Sequence, residues 1–463
     1  MATTTTTTDF DAFFAGLAEI RRHIHSNPEL GFEEVKTQAL VRDYLINQAK
    51  IPAEQIKDCG KTGLVVDIFA PTEGPKLADG ALKCVAFRGD MDALPMTEHN
   101  PQLAYESKVP GTAHMCGHDG HTANLMGFAL LVQQRRHLLP PHSIVRLLFQ
   151  PAEEGRFGAV AMIKDGCLDG VDEVYGYHNM PFTLGNIQVK SGPIMAHGGT
   201  FSITISGPGG HGSAPHVTKD PIVAAGQIIM AMQTITSRSL SPHDSAVVSI
   251  CQVHGGEADN VIPSSVRLSG TIRDFSPAVS STINQRMATI VEHTCAAFDL
   301  KGEFEMKERY PVVVNPVEQT TIVESIARRI IGSDRVSAQG LPLCGSEDFA
   351  FYLHQRPGSF FFIGTKGTTD GHNRNNHTDT FDFNDQILPM GARMFLELIN
   401  HRFNCAIYSA DELGQMTAPK VHNWQTLRIP TWFPSQKDAI NSSMELLEST
   451  DVSQQACQGL NTI

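Results

Sequence analysis

The sequence predicts an α/β protein with a smaller α+β module set into it. Short apolar runs at 63–69 (GLVVDIF), 84–87 (CVAF), 144–149 (IVRLLF) and 173–177 (EVYGY) each lead into turns or polar loops, most of them rich in carboxylates or histidine. α/β folds collect their ligands at such strand ends. Segments with helical spacing alternate with these runs. Between about 196 and 308 the order becomes β-α-β-β-α-β, that of a ferredoxin-like unit. The earlier strand and helix pattern then resumes, so the module reads as an insertion. The expected division is 9–195 with 309–402 for the body, 196–308 for the module, and 403–463 for an appended tail. A chain of 463 residues suits about three such units.

Residues 9–22 place Phe10, Phe13, Leu17 and Ile20 at helical spacing, so an amphipathic helix opens the fold. His23 and His25 follow in RRHIHSNPELGFEE. Two residues apart on a helix they face different ways, which suits capping or packing better than a shared metal. Pro28 ends this helix, and 33–48 reads as a second. The run 84–87 delivers Arg88-Gly89-Asp90-Met91-Asp92. The densest chemistry follows, in His114-Met115-Cys116-Gly117-His118-Asp119-Gly120-His121. Buried polar groups need partners, and a metal ion partners several at once. Cys and His suit zinc, whereas His with carboxylates suits manganese.

A helix over 122–133 precedes the run 144–149, which leads to Gln150-Pro151-Ala152-Glu153-Glu154-Gly155. In extended backbone, neighbouring side chains point opposite ways. One glutamate can then hold a metal while the other faces the substrate and shuttles a proton. The run 173–177 ends in His178. In the module, 201–206 alternates apolar and polar residues and leads to a glycine-rich loop at 207–216. No Lys-Ser/Thr follows that loop, so it is not a phosphate loop. A helix over 222–235, strands at 245–253 and 265–274, and a helix over 281–298 complete the module. Beyond it come a helix at 317–331, the run Cys344-Gly345-Ser346-Glu347-Asp348-Phe349, a strand at 359–363, the polar loop 372–379, Asp385, and a helix at 386–401. After 402 no periodicity organises the chain. Its only tryptophans, Trp424 and Trp432, lie there, and partial helix is expected near 439–447.

Composition excludes several classes. Hydrophobic residues at 41% and charged residues at 18% describe an ordinary globular protein. A net charge of −13 argues against nucleic acid and anionic membranes as partners. The nine cysteines are scattered with no CxxC pair, so neither a zinc ribbon nor a disulfide framework is expected, and their odd number suits a reducing compartment. The threonine-rich start has no basic or apolar signal region. No apolar stretch approaches the ~18 residues of a membrane span. The expected location is the cytoplasm.

Taken together, RRHIHSNPELGFEE, FRGDMDALPM, CGHDGHT, FQPAEEG, HNMP, GGHGSAPH, NVIP, GTIRDF, SEDFAFY and HTDTFDFND resemble the M20 metallopeptidase family. The likeness is to its aminoacylase and hippurate hydrolase branch, which also holds the indole-acetyl-amino acid amidohydrolases. It runs over about 20–401. The resemblance implies a dimetal exopeptidase-like catalytic domain interrupted by a ferredoxin-like lid that forms a homodimer. By motif, Cys116, His118, Glu154, His178 and His377 take the places of ligands to two divalent ions, manganese or zinc. His372 competes with His377, whose distance from Phe381 favours it. Glu153 takes the place of the catalytic base. Asp92 would orient a ligand, and Asp90, standing where the wider family has His, is not expected in the coordination sphere. His211 matches a lid residue that steadies the reacting carbonyl oxygen in a partner's site. Asn260 and Arg273 match residues near the substrate's carboxylate. The implied activity is hydrolysis of the amide bond of small N-acyl amino acids. The alternatives are a dipeptidase, a deacetylase of an amino-acid intermediate, or a non-catalytic binding relative; the retained free base Glu153 speaks against the last.

Overall fold

The computed structural model describes residues 9–75, 77–78, 80–367 and 374–416. The expected helix near 439–447, both tryptophans and His372 lie outside the described residues. The chain opens with α1 (Phe10–Ser26) and α2 (Val35–Asn47), followed by β1 (Ile56–Cys59), β2 (Gly63–Phe69) and β3 (Cys84–Asp90). Next come α3 (His118–Arg135), β4 (Ile144–Gln150), α4 (Gly158–Lys164), β5 (Glu173–Thr183), β6 (Ile187–Gln188) and β7 (Gly192–Met195). The inserted module holds β8 (His197–Ser206), β9 (Gly210–His211), α5 (Pro221–Thr234), β10 (Ala246–His254), β11 (Val261–Ile262), β12 (Ser265–Asp274), α6 (Pro277–Ala297) and β13 (Lys301–Glu308). Then follow β14 (Val313–Asn315), α7 (Val317–Ile331), β15 (Val336–Ser337), α8 (Ala350–Leu353), β16 (Gly358–Lys366), α9 (Leu388–Arg402) and α10 (Ala410–Gly414).

The larger sheet has the order β1-β2-β4-β3-β5-β16-β6-β15. β3 pairs in parallel with both β4 and β5, and β5 with β16. Every residue of β3 is buried, as expected of a parallel strand covered on both faces. Phe87 turns toward Phe128 of α3 and Phe395 of α9. Ala86 faces the opposite core with Met162 of α4 and Tyr352 of α8. The strand order turns back about β3, and in such sheets the crevice for ligands opens at the carboxyl ends of the strands beside that point. The residues following β3 and β4 carry Asp92, Glu153 and Glu154.

In the module, β10-β12-β8-β13 form an antiparallel sheet. Its apolar face, including Ile203, Ile205 and Leu268, packs on Ile228 and Met232 of α5 and on Ile283 of α6. This is the ferredoxin-like insertion expected from element order. A ribbon of β7 with β14 lies where the chain enters and leaves it.

Several elements run past their expected ends. α1 continues to Ser26 and carries His25 into the interior, where its ring bridges Asp119 at 2.9 Å and Glu98 at 3.1 Å. β3 includes Asp90, and β5 continues through His178, because pairing of His178 with Phe362 of β16 extends the ladder beyond the apolar run. α3 starts at His118, ahead of the apolar periodicity. Residues 403–416 also pack on the main body: the Tyr408 hydroxyl donates to Leu131 O at 3.1 Å and its ring lies under Arg135. No described helix is long and apolar enough to cross a membrane.

Arg21, wholly buried in α1, joins these parts. Its guanidinium donates to both oxygens of Asp385 at 2.8 and 3.1 Å and to Asp382 at 3.1 Å, with Asp119 at 3.5 Å. Removing one partner from a buried charge network leaves carboxylates uncompensated. Arg21→Leu is expected to cost about 3–5 kcal/mol in a urea denaturation series; an unchanged midpoint would contradict this assignment.

Candidate metal centre

Asp92 organises the site. Its carboxylate accepts from Glu153 N at 3.0 Å and Glu154 N at 2.9 Å, and lies 3.2 Å from His118 Nδ1. The contact of His118 Nδ1 with this carboxylate fixes the orientation of the imidazole ring. His118 Nε2 is buried without a hydrogen bond among the described residues and lies 3.5 Å from Asp90 Oδ2. His178 is set in the same way, its Nδ1 directed at Asn179 O at 2.7 Å. Gly117 makes this local geometry possible, with φ +100°. A Cβ there would lie 2.3 Å from Asn179 Oδ1, so the turn into α3 requires glycine.

Five donors converge. Cys116, His118 and Glu154 each offer an atom within 4.8 Å of the others. Cys116 Sγ is 3.5 Å from His178 Nε2 and 3.2 Å from His377 Nε2, which lies 3.1 Å from Glu154 Oε1. Hydrogen bonds to Cys116 and Glu154 push the His377 imidazole up to about 10. A thiol, three imidazoles and a carboxylate are the donor set of a transition-metal site. The orphaned Nε2 of His118 points to an ion as the missing partner. These residues fit divalent metal.

A second group, Asp90 with His118, His121 and His178, is also compact. Its members are largely committed elsewhere. Asp90 pairs with Arg88 at 2.6 Å and with His121 Nδ1 at 2.6 Å, while His121 Nε2 accepts from Asn179 N at 3.1 Å. His114 is buried without a hydrogen bond among the described residues, and burial lowers it to about 3, leaving a neutral ring.

The Glu153-Glu154 pair corrects the expectation of extended backbone. Residues 152–155 form a turn, with Ala152 at φ +56° and Gly155 at φ +78°. The two carboxylates still diverge. Glu154 faces Cys116 and His377, whereas Glu153 is grouped with Glu347 and Asp348. Burial, then Glu347, Glu154 and Asp348, raises the Glu153 carboxyl well above the usual range. Among the described residues the guanidinium that pairs with them is Arg88, which donates to Glu347 at 2.9 Å and Asp348 at 3.3 Å. The sequence alone gives no role to Arg88, Glu347 or Asp348, although they stand in the motifs FRGDMDALPM and SEDFAFY. It also gave none to Glu34, whose carboxylate accepts from Ala152 N at 2.8 Å.

A cleft of about 600 Å³ opens over this centre, lined by Cys116, Glu153, Glu154, His178, Arg273 and His377 among others. Arg273 of β12 thus lies at the cleft. His211 and Asn260 do not line it. Both are exposed on the lid, where Gly212 N donates to Asn260 O at 2.8 Å and His211 Nδ1 accepts from Ser213 N at 3.1 Å.

Asp92→Asn replaces one acceptor oxygen with an amide that cannot accept from both turn amides and from His118. Divalent-ion affinity is expected to fall about 10–100-fold, read by competition with a chelator of known strength. Unchanged affinity would show that Asp92 does not support the centre.

The model of "Peptidase family M20/M25/M40" matches residues 86–401. An N-acetyl-L-cysteine deacetylase of Bacillus subtilis (strain 168) is 40% identical over 358 residues, covering 77% of this chain and 82% of that protein. IAA-amino acid hydrolase ILR1-like 4 of Arabidopsis thaliana is 36% identical over 387 residues, covering 82% and 84%. Among solved structures, the Bacillus subtilis YXEP protein, described as a dinuclear metal binding peptidase from the M20 family, aligns with a TM-score of 0.71 and 34% identity. That alignment covers 85% of this chain and 99% of the other. On these matches the chain belongs to peptidase family M20/M25/M40.

Proposed function

We propose that this protein is a metal-dependent amidohydrolase that cleaves N-acyl amino acids into a carboxylic acid and a free amino acid. The observation that carries the reading is a buried carboxyl, Glu153, standing next to five converging metal donors without being one of them. The similarity to an N-acetyl-L-cysteine deacetylase and to an IAA-amino acid hydrolase supports this reading. In this reading residues 9–195 and 309–402 form the catalytic body and 196–308 its lid.

Cys116, His118, Glu154, His178 and His377 would hold two divalent ions, manganese or zinc. Bound there, the ions supply Lewis acidity, polarising an amide carbonyl and making water acidic near neutral pH. The chain's own residues do the rest. Glu153 takes a proton from the attacking water onto its carboxylate and delivers it to the departing nitrogen. Its buried, carboxylate-rich surroundings favour the protonated form, so the proton is kept between the two steps. Arg273 receives the carboxylate of the amino-acid half at the lid side of the cleft. His211, on the exposed lid ribbon, donates to the carbonyl oxygen in a second subunit's site, with Asn260 beside it, which makes the working unit a homodimer.

A panel of N-acetyl, N-benzoyl and indole-acetyl amino acids, with a dipeptide for comparison, tests the reading. Metal-loaded protein is expected to hydrolyse at least one acyl amino acid faster than the dipeptide, and chelation to abolish this. No turnover at two ions per chain would sink it. Glu153→Gln is expected to lower kcat by about 10²–10⁴-fold with both ions retained; loss of metal instead would exchange the roles of the two glutamates.

Trans action of the lid has its own test. His211→Ala and Glu153→Gln chains, each inactive alone, are expected to regain activity when mixed and allowed to exchange subunits. Continued inactivity despite mixed dimers would place His211 outside the reaction.

A further inference from the structure

The lid's two connections cross directly over the turn that carries Glu153. Gly198 N donates to Tyr310 O at 2.9 Å, and Arg309 N donates to Gly198 O at 2.9 Å, so the entering and returning chains are hydrogen-bonded to each other. From this crossing two side chains reach down to the turn. The Tyr310 hydroxyl donates to Glu153 O, and Arg309 Nη2 donates to Gly155 O at 2.9 Å. Phe157 N in turn donates to the Tyr310 hydroxyl at 3.4 Å, and the Phe157 ring stands edge-on to the Tyr310 ring at 5.0 Å. Tyr310 is 5% exposed.

The turn needs such support. Ala152 and Phe157 have φ of +56° and +63° without being glycine, a conformation that persists only where its surroundings over-determine it. Support comes from two sides. Glu34 and Asp92, both from the body, take the amides of Ala152, Glu153 and Glu154. The carbonyl side of Glu153 is taken by Gly155 N at 2.6 Å within the turn and by Tyr310 from the lid's return. The peptide plane after Glu153 is therefore gripped from opposite edges, by Asp92 and by Tyr310 at the junction where the chain returns from the lid to the body.

We propose that Tyr310 is a positioning residue: its hydroxyl fixes the backbone of Glu153 to the root of the lid, so that the base is in register for proton transfer when the lid root is in the position seen here. The inference rests on the reading of Glu153 as the base. Misplacing a catalytic group by about 1 Å is enough to cost 10²-fold in rate, so a rocking peptide plane has a measurable consequence.

Tyr310→Phe keeps the ring packing and removes only the hydroxyl. In the full-length, metal-loaded protein kcat is expected to fall about 10–100-fold, with KM within about twofold and two ions per chain retained. Hydrogen exchange followed by mass spectrometry supplies a readout independent of activity. Amides of 152–158 are expected to exchange at least about tenfold faster in the variant, with α6 unchanged as the control for folding. Unchanged kcat, unchanged exchange in the turn, or a fall in kcat accompanied by metal loss would each overturn the proposal. Wild-type protein that binds two ions yet hydrolyses nothing would instead refute the proposed function, and the exchange comparison would still decide whether Tyr310 holds the turn.

Discussion

One buried carboxylate sets the geometry on which the site depends. Asp92 receives two consecutive backbone amides, those of Glu153 and Glu154, and the Nδ1 proton of His118. Hydrogen bonds to a charged acceptor are the strong ones. These three fix the orientation of His118, the direction of Glu154 and the placement of Glu153 in a single contact set. The residues come from three separate stretches of chain, which the carboxyl ends of β3 and β4 and the start of α3 bring together. Orientation by such outer partners is what makes a set of donors into a site with a defined geometry.

Charge balance around Glu153 is the second constraint. Asp90, Glu153, Glu347 and Asp348 are all buried near a single guanidinium, Arg88. Burying that many carboxylates beside one cation cannot leave all of them ionised at neutral pH. Although burial opposes it, Arg88, His118 and His121 hold the Asp90 carboxyl well below the usual range. Glu153 makes no ion pair among the described residues, and burial with Glu347, Glu154 and Asp348 outweighs His118 to shift it the opposite way. The same arrangement explains why Asp90 is not expected at the metal: both its oxygens are already engaged.

Much of this was legible in the residues. The polar runs that hold Cys116, His118, Glu154, His178 and His377 could be read as candidate sites, whereas the choice of these five within them came from the resemblance to the M20 family. The β-α-β-β-α-β order of the lid could be read for the same reason, since its strands alternate and its helices are periodic. Features made by distant contact could not be read. The positive φ of Ala152 and Phe157 leaves no trace in residue type, so the glutamate pair read as extended. His178 lies beyond the apolar run of its strand and is held there by pairing with β16. Residues 403–416 lack helical periodicity because the apolar side chains they bury, Phe403, Ile407, Tyr408, Leu413 and Met416, are irregularly spaced around a short capped helix. The mutual engagement of Asp90 and His121 likewise appears only once β3 and α3 are side by side.

The central claim is that five residues hold metal while Glu153 beside them stays free. Anomalous diffraction from crystals of the manganese- or zinc-loaded protein, collected across the metal's absorption edge, tests it most directly. The account predicts two peaks per chain, coordinated by Cys116, His118, Glu154, His178 and His377, with no coordination by Glu153 or Asp90. A single peak, or an ion bound through Glu153 or through Asp90 and His121, would contradict it.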